Sequence, residues 1–439
     1  MGYNTENNES KIGFWGIIAI GIGGMVGGGI FAVLGLAVQL AHGGTPVAFL
    51  LAGLVALVTS YSYARLSVSY PSQGGTVEFL NQAFGTGLFT GSLNILLWIS
   101  YIIMISLYAY AFGSYGASFF PDSFQFLGKH LFISGAIVLF TILNALGSTL
   151  VGEAEEWVVG FKVLILLLFV GVGLFSVQLG NLSTSQWTAT PHLIAGGMII
   201  FLAYEGFELI ANTAGDVQNA STVLPKAFFT SVLFVIALYI LVSMVTVGNL
   251  SVSKIVEAKD YALAEAAKPF LGNFGFTLIA VAALLSTGSA INATLYGTAR
   301  VSYIIAKEGE LPDKLEHKIW HRPIEGLLIT SALALLVANL FNISSISMMG
   351  SAGFLVIFAV VNAANYKLYQ KTESKRWISG LGIIASLAAL GTLLWQRATT
   401  APRELWVLLI MAALSFAVEF IYQRSTGRII KPFFKREEA

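Results

Sequence analysis

Apolar runs close to twenty residues long follow one another along almost the whole chain, and that feature decides its solvent. A bilayer core of about 30 Å takes roughly 20 apolar residues of helix. Twelve such runs are bounded by charge, proline or polar clusters, near residues 12–37, 46–69, 86–117, 131–150, 157–177, 192–213, 226–248, 273–305, 324–341, 345–366, 378–396 and 404–422. The expected fold class is an all-α multi-pass membrane protein with 12 transmembrane helices. Only 11% of the 439 residues are charged, whereas soluble domains need surfaces that are roughly 25–35% Lys, Arg, Glu and Asp. A net charge of +1 offers no basic face, so no nucleic acid partner is expected. With no cysteine there are no disulfides, thiolate nucleophiles or Cys-zinc sites. The opening MGYNTENNESK is polar and acidic, and the apolar stretch behind it is too long for a signal peptide, so the first span is expected to be retained.

Lys and Arg set the orientation. If the N-terminus is cytoplasmic, seventeen basic residues fall inside, while Lys129, Lys254, Lys259, Lys268, Arg397 and Arg403 fall outside. Both termini are therefore expected in the cytoplasm, and Lys162 alone lies within an apolar run. Residues 249–272, with ALAEAAKPFLG, predict a short amphipathic helix over the outer face, able to act as part of a lid. The charged run 307–323 predicts a solvated inner loop.

Two spans look broken. GIGGMVGGGIF, residues 21–31, has six glycines in eleven positions, and glycine weakens a helix interior by up to about 1 kcal/mol. A close Gly-xxx-Gly crossing through Gly23 and Gly27 is the alternative reading. Consecutive Gly27, Gly28 and Gly29 go further, baring N–H groups that suit an anion at a half-helix N-terminus. In the sixth run, MIIFLAYEGFELIANTAGD (198–216), Glu205, Gly206 and Glu208 interrupt the apolar stretch near its middle, predicting a break at Gly206 that aims the two carboxyls apart. Breaks in the first and sixth spans are the pattern of an inverted repeat with a midplane substrate site, chance placement being the competitor. The expected divisions are a tail 1–11, a first repeat 12–177, a second repeat 192–366, two further helices in 378–422 and a basic tail 423–439.

These residues carry a resemblance. GIGGMVGGGIF, YARLSVSYPSQGGTVEFLNQAFG (63–85), YEGFELIANTAGDVQNASTVLPKAF (204–228) and STGSAINATLYGTARVSYIIAKEGELP (286–312) resemble the first, second, sixth and eighth helix motifs of the amino acid, polyamine and organocation (APC) transporter superfamily. They cover residues 12 to about 320 in order, with closest likeness to its archaeal proton-coupled, broad-specificity amino acid transporters. The resemblance implies a LeuT-like 5+5 inverted repeat plus two C-terminal helices, and amino acid transport by alternating access across the plasma membrane. It implies that the substrate carboxylate sits on the N–H groups of Gly27, Gly28, Gly29 and Ile30. The ammonium group would meet the carbonyls of Met25 and Val26 in the first span and of Leu202, Ala203 and Glu205 in the sixth. Monomers or weak homodimers are expected, with amino acids, protons and the lipid bilayer as partners and no cofactor.

Lys162 sits in VVGFKVLILLL with no acid within one helical turn. Snorkelling to the inner interface is one reading, because Trp157 is only five residues away, about 7.5 Å of rise. The other is a buried amine that changes its proton between conformations. By resemblance its amine meets the carbonyls of Gly23 and Val26 and the hydroxyls of Ser286 and Ser289, where sodium-coupled relatives hold their cation. Charged Lys162 would then steady the outward-open state, and proton loss to the inside would free the fifth span. Glu208 matches a family position associated with proton linkage, a structural, protonated carboxyl being the alternative.

Weaker signals complete the reading. Arg65 is expected to anchor at the cytoplasmic face, and His192 to cap the interface. Glu153, Glu155 and Glu156 predict a solvated inner cluster, with proton delivery to Lys162 as the alternative reading, and Phe201, Tyr204 and Phe207 are candidates for closing over the ligand. His42, His130, His192, His317 and His321 show no HExxH spacing, so neither a metal site nor an enzyme is expected. A channel would need polar stripes along several helices. The open alternative is an exchanger or antiporter of amino acids or amines, without coupling through Lys162. Small residues around the break favour neutral substrates, while Glu205 keeps a basic one open.

Overall fold

The computed structural model describes residues 12–146, 150–307 and 324–426. The expected N-terminal tail, nearly all of the charged loop with Lys314, Lys318, His317, His321 and Arg322, and the tail beyond Thr426 lie outside the described residues, as do the side chains of Glu153, Glu155 and Glu156.

The chain is an all-α multi-pass membrane protein, and the described residues form no strand, only two isolated β-bridges. In order the helices are α1 (Phe14–Met25), α2 (Gly29–Ala41), α3 (Thr45–Ser69), α4 (Thr76–Phe84), α5 (Leu88–Ala117), α6 (Asp122–Leu146), α7 (Leu150–Gly173) and α8 (Thr190–Ile199). A 3₁₀ segment, Phe201–Asp216, precedes α9 (Ala220–Asn249), α10 (Val252–Glu257), α11 (Ala262–Lys307), α12 (Ile324–Leu340), α13 (Ile343–Lys367), α14 (Arg376–Thr400) and α15 (Leu405–Thr426). Local chemistry sets several starts. Proline stands in the first turn of α3 and α8, where its missing N–H costs nothing. The Asn342 side chain caps α13, accepting from the Ser345 N–H at 3.0 Å.

Ten described helices are long and apolar enough to cross a bilayer, and the bent pair α1 and α2 supplies an eleventh. The expected twelve differ at the ninth run, which forms the 17-residue α12, apolar but short. The expected outer helix is present as α10 followed by the start of α11, which kinks at Gly272, φ 62°. Its apolar side, including Leu263, Ala266 and Ala267, is buried against the protein. α5 and the span Thr190–Asp216 are the most enclosed, each 89% buried over its most apolar stretch, whereas the span Pro402–Ile421 is only 22% buried.

Both suspect spans depart from an α-helix, but only the first does so where expected. Between α1 and α2 the chain turns at Val26, Gly27 and Gly28, and the two helices meet at 41°. In the sixth span the change comes earlier, at Ile200 (φ −91°, ψ 4°), where α8 gives way to 3₁₀ turns. Serines from α13 seal this junction. Ser347 and Ser351 each donate to the Ile199 carbonyl at 2.7 Å, and Ser351 accepts from the Leu202 N–H at 3.1 Å. The segment then runs through Gly206 without interruption. A 3₁₀ helix has three residues per turn, so Glu205 and Glu208 share one face instead of being aimed apart.

Gly206 serves a different purpose, which is close approach. A Cβ there would lie 2.5 Å from the Met25 nitrogen and 2.6 Å from the Gly24 oxygen. The first and sixth spans therefore cross backbone to backbone, through Gly24 and Gly206. Backbone bonds tie the same two spans at one end, with Ile12 N–H donating to the Asp216 carbonyl at 2.8 Å and Gln218 N–H to the Ile12 carbonyl at 3.0 Å.

Candidate functional site

The last carbonyls of a helix have no intrahelical partner and carry the negative end of its dipole. In α1 three of them are met by side chains from three other helices. The Lys162 ammonium of α7 donates to the Gly23 carbonyl at 3.0 Å, and the Ser286 hydroxyl of α11 donates to the Val26 carbonyl at 2.8 Å. The Tyr239 hydroxyl of α9 donates to the Met25 carbonyl at 2.6 Å, with the Ala203 carbonyl of the 3₁₀ segment at 3.2 Å. Lys162 is fully buried, while Trp157 and Phe161 on the same helix face outward. The amine does not snorkel. Ser289 lies one turn beyond Ser286 on α11.

Across the break, α2 starts at Gly29 without a side-chain cap, so the N–H groups of Gly28, Gly29 and Ile30 have no partner within the helix. The Ile30 backbone faces the Tyr239 hydroxyl. Two half-helix ends of opposite polarity thus meet around a single phenol. Such a pair of ends suits a small zwitterion, with N–H groups for the anion and C=O groups for the cation.

The ring over the break is Tyr108 of α5, packed so closely on Gly28 that no side chain fits there. Gly29 likewise lies against Ala203, whose Cα would be 2.7 Å from a Cβ at position 29. The three aromatic residues proposed from sequence differ in place, the Tyr204 ring meeting that of Tyr239 at 5.1 Å. Phe201 and Phe207 pack on Phe358, and Tyr204 donates to the Phe49 carbonyl at 2.9 Å. Sequence reasoning missed Tyr108 and Tyr239. The signal for the first was the spacing of Tyr101 and Tyr108, seven residues and so nearly one face of the helix.

Glu205 and Glu208 are both buried, and Glu208 looks toward α3. Tyr63 of α3 donates to Glu208 Oε2 at 3.1 Å, and its hydroxyl lies 2.9 Å from that of Thr76, the first residue of α4. The weaker signals lie apart from the break. Arg65 stacks over Tyr61 at 5.7 Å, and His192 meets the Trp395 ring edge-on at 6.3 Å.

The profile of the amino acid permease family matches residues 12–416. The chain belongs to that family. This permease is 36% identical to an uncharacterized protein of Methanocaldococcus jannaschii, covering 96% of this chain and 98% of the relative. It is 33% identical to the inner membrane transport protein YbaT of Escherichia coli, over 96% and 99% of the two chains. The serine/threonine exchanger SteT of Bacillus subtilis is 24% identical, over 85% and 87%. The permease is accordingly an amino acid transporter embedded in a membrane, and not an enzyme.

Tyr239 offers a direct probe of this site. Tyr239→Phe leaves the Met25 and Ala203 carbonyls without their donor, and an unpaired buried acceptor costs about 1–3 kcal/mol. The unfolding temperature in detergent is expected to fall by several degrees, and, on the expectation that the substrate ammonium takes the same carbonyls, saturating substrate is expected to restore more of it than in the wild type. Equal stabilisation of both proteins by substrate would show that the carbonyls are not the ammonium site.

Proposed function

We propose that this permease is a proton-coupled secondary carrier of amino acids, with broad preference for neutral side chains, working by alternating access in the plasma membrane. The observation that carries the reading is the buried Lys162 amine bonded to the Gly23 carbonyl at 3.0 Å, at the end of a broken helix. In this reading Gly27, Gly28, Gly29 and Ile30 receive the substrate carboxylate, and Met25, Val26, Leu202, Ala203 and Glu205 offer carbonyls to its ammonium. The spans form two inverted sets of five, 12–177 and 192–366, with both termini in the cytoplasm.

Coupling follows from the end of α1. A positive charge is favoured at a helix C-terminus and a neutral amine gains little there, so protonated Lys162 holds α7 to α1 and proton loss loosens that contact. Glu208, buried beside Glu205, is a second proton carrier in this scheme. Its position supports a role for the pair during the cycle without replacing Lys162.

Uptake of a panel of labelled amino acids into proteoliposomes tests the proposal. Accumulation against a gradient is expected only with an inward proton gradient, and an uncoupler should remove it. Uptake that depends on internal amino acid and ignores the proton gradient would instead make this permease an exchanger, the activity that the name of the Bacillus relative carries.

A further inference from the structure

The connection 368–375 between α13 and α14 is held in shape from beneath by buried polar side chains that the transport site does not use. Asn365 is completely buried, its side-chain oxygen accepting from the Thr372 hydroxyl at 2.8 Å and its amide donating to the Ser379 hydroxyl at 2.8 Å. The Thr372 hydroxyl also lies 3.0 Å from that of Ser374, whose N–H donates to the Tyr369 carbonyl at 3.0 Å. α3 is tied to the same connection, since the Tyr61 hydroxyl accepts from the Lys375 N–H at 2.6 Å. A buried network satisfied in this way gives the backbone above it one shape.

The surface so ordered is strongly basic. Lys367, Lys371, Lys375 and Arg376 are exposed on it, Arg65 of α3 lies half-buried beside Tyr61, and the acid within residues 365–377 is Glu373. Among the described residues none of these five cations pairs with a carboxylate. Aromatic rings hold them instead. The Arg376 guanidinium lies 4.2 Å from the ring centre of Tyr366 and 5.1 Å from that of Tyr369, and Arg65 shares Tyr61 with the Lys375 N–H. A ring face steadies a cation without cancelling its charge, so the positive potential is left for an anion. Trp377, next in the chain, is 68% exposed, and the exposed Leu381 and Ile384 follow it four and seven residues on, along one face of α14. Cations and a tryptophan at the end of such an apolar face stand at headgroup level. Membrane topology asks only that Lys and Arg fall on one side; it requires neither an ordered connection nor ring-held guanidinium groups.

We propose that Arg65, Lys371, Lys375 and Arg376 form a binding site for the headgroup of an anionic phospholipid, whose acyl chains lie along Trp377, Leu381 and Ile384. The Arg376 fork suits the paired oxygens of a phosphate diester, and basic clusters at the ends of membrane helices recruit anionic headgroups. A zwitterionic lipid brings its own cation onto a surface whose cations are already unpaired. Free phosphate has no chains to place on the apolar strip. Because the connection is ordered before the lipid arrives, little conformational freedom is lost on binding. Nothing in the site depends on the transported substrate or on Lys162.

Native mass spectrometry of the full-length purified permease, titrated with dioleoyl phosphatidylglycerol, dioleoyl phosphatidylcholine or inorganic phosphate, tests it. Phosphatidylglycerol is expected to bind about tenfold more tightly than phosphatidylcholine, and each of Arg65→Gln, Lys375→Gln and Arg376→Gln to cost it about fivefold. Lys254→Gln, which removes an exposed cation of α10, is expected to change nothing. Arg376→Lys keeps the charge but loses the fork, and is expected to cost about threefold; unchanged affinity there would show a diffuse basic surface and overturn a held headgroup. Equal affinity for the two lipids overturns the site, as does a loss in Lys254→Gln as large as in Arg376→Gln. Displacement of phosphatidylglycerol by an equal concentration of inorganic phosphate would make the ligand a free anion and overturn the lipid assignment. The comparison of the three ligands needs only the wild type, so it decides even if a variant does not fold.

Discussion

Proteoliposomes carrying Lys162→Ala are expected to show no proton-driven accumulation, a loss of at least a hundredfold relative to the wild type. The side chain is fully buried and bonded to the Gly23 carbonyl at 3.0 Å, so its removal deletes the proposed switch and also leaves a hole and an orphaned acceptor at the end of α1. Two further variants separate these effects. Lys162→Met keeps most of the volume and hydrophobic stem, and is expected to fold and bind substrate yet fail to accumulate it. Lys162→Arg keeps a charge that cannot be lost at any ordinary pH, and is expected to bind substrate while remaining locked against turnover. Concentrative uptake in the methionine variant at wild-type levels would remove Lys162 from the coupling mechanism, whatever its contribution to folding.

The first break was legible because three consecutive glycines have no ordinary use in a membrane helix, and the chain does turn at Val26, Gly27 and Gly28. The sixth-span break was misplaced for a physical reason. Carboxyls and a glycine were expected to mark the interruption, but the backbone leaves the α-helix at Ile200, among apolar residues, because Ser347 and Ser351 of α13 take up the freed carbonyl. Partners some 150 residues away leave no local trace. Tyr239 was hidden for the same reason, since a tyrosine in a long apolar run resembles any core aromatic until its hydroxyl is seen on the Met25 carbonyl. Lys162 stood out because a lone cation in an apolar run demands an explanation, but only the structure decides between burial and snorkelling.

Glycine at 206 is the position where sequence and packing part most sharply, and it yields the largest structural effect expected here. Read locally, Gly206 looked like a helix breaker between two acids, in which case alanine there would straighten the segment at little cost. In the structure a Cβ at 206 lies 2.5 Å from the Met25 nitrogen and 2.6 Å from the Gly24 oxygen, both of them backbone atoms with no rotamer to yield. Gly206→Ala must therefore push α1 away from the sixth span, at a cost of about 3 kcal/mol or more, the upper range for overpacking. The displaced atoms belong to the same turn whose carbonyls meet Lys162, Tyr239 and Ser286, so substrate binding and coupling are expected to fail together with stability. Gly215→Ala is the matched control, since a Cβ at 215 meets nothing within 4 Å, and its melting temperature and uptake are expected to stay near wild type. Detergent melting curves and uptake for the pair decide between the two readings. Similar stability in both variants would mean that the first and sixth spans do not cross through these glycines, whereas a loss confined to Gly206→Ala is the result expected of that crossing.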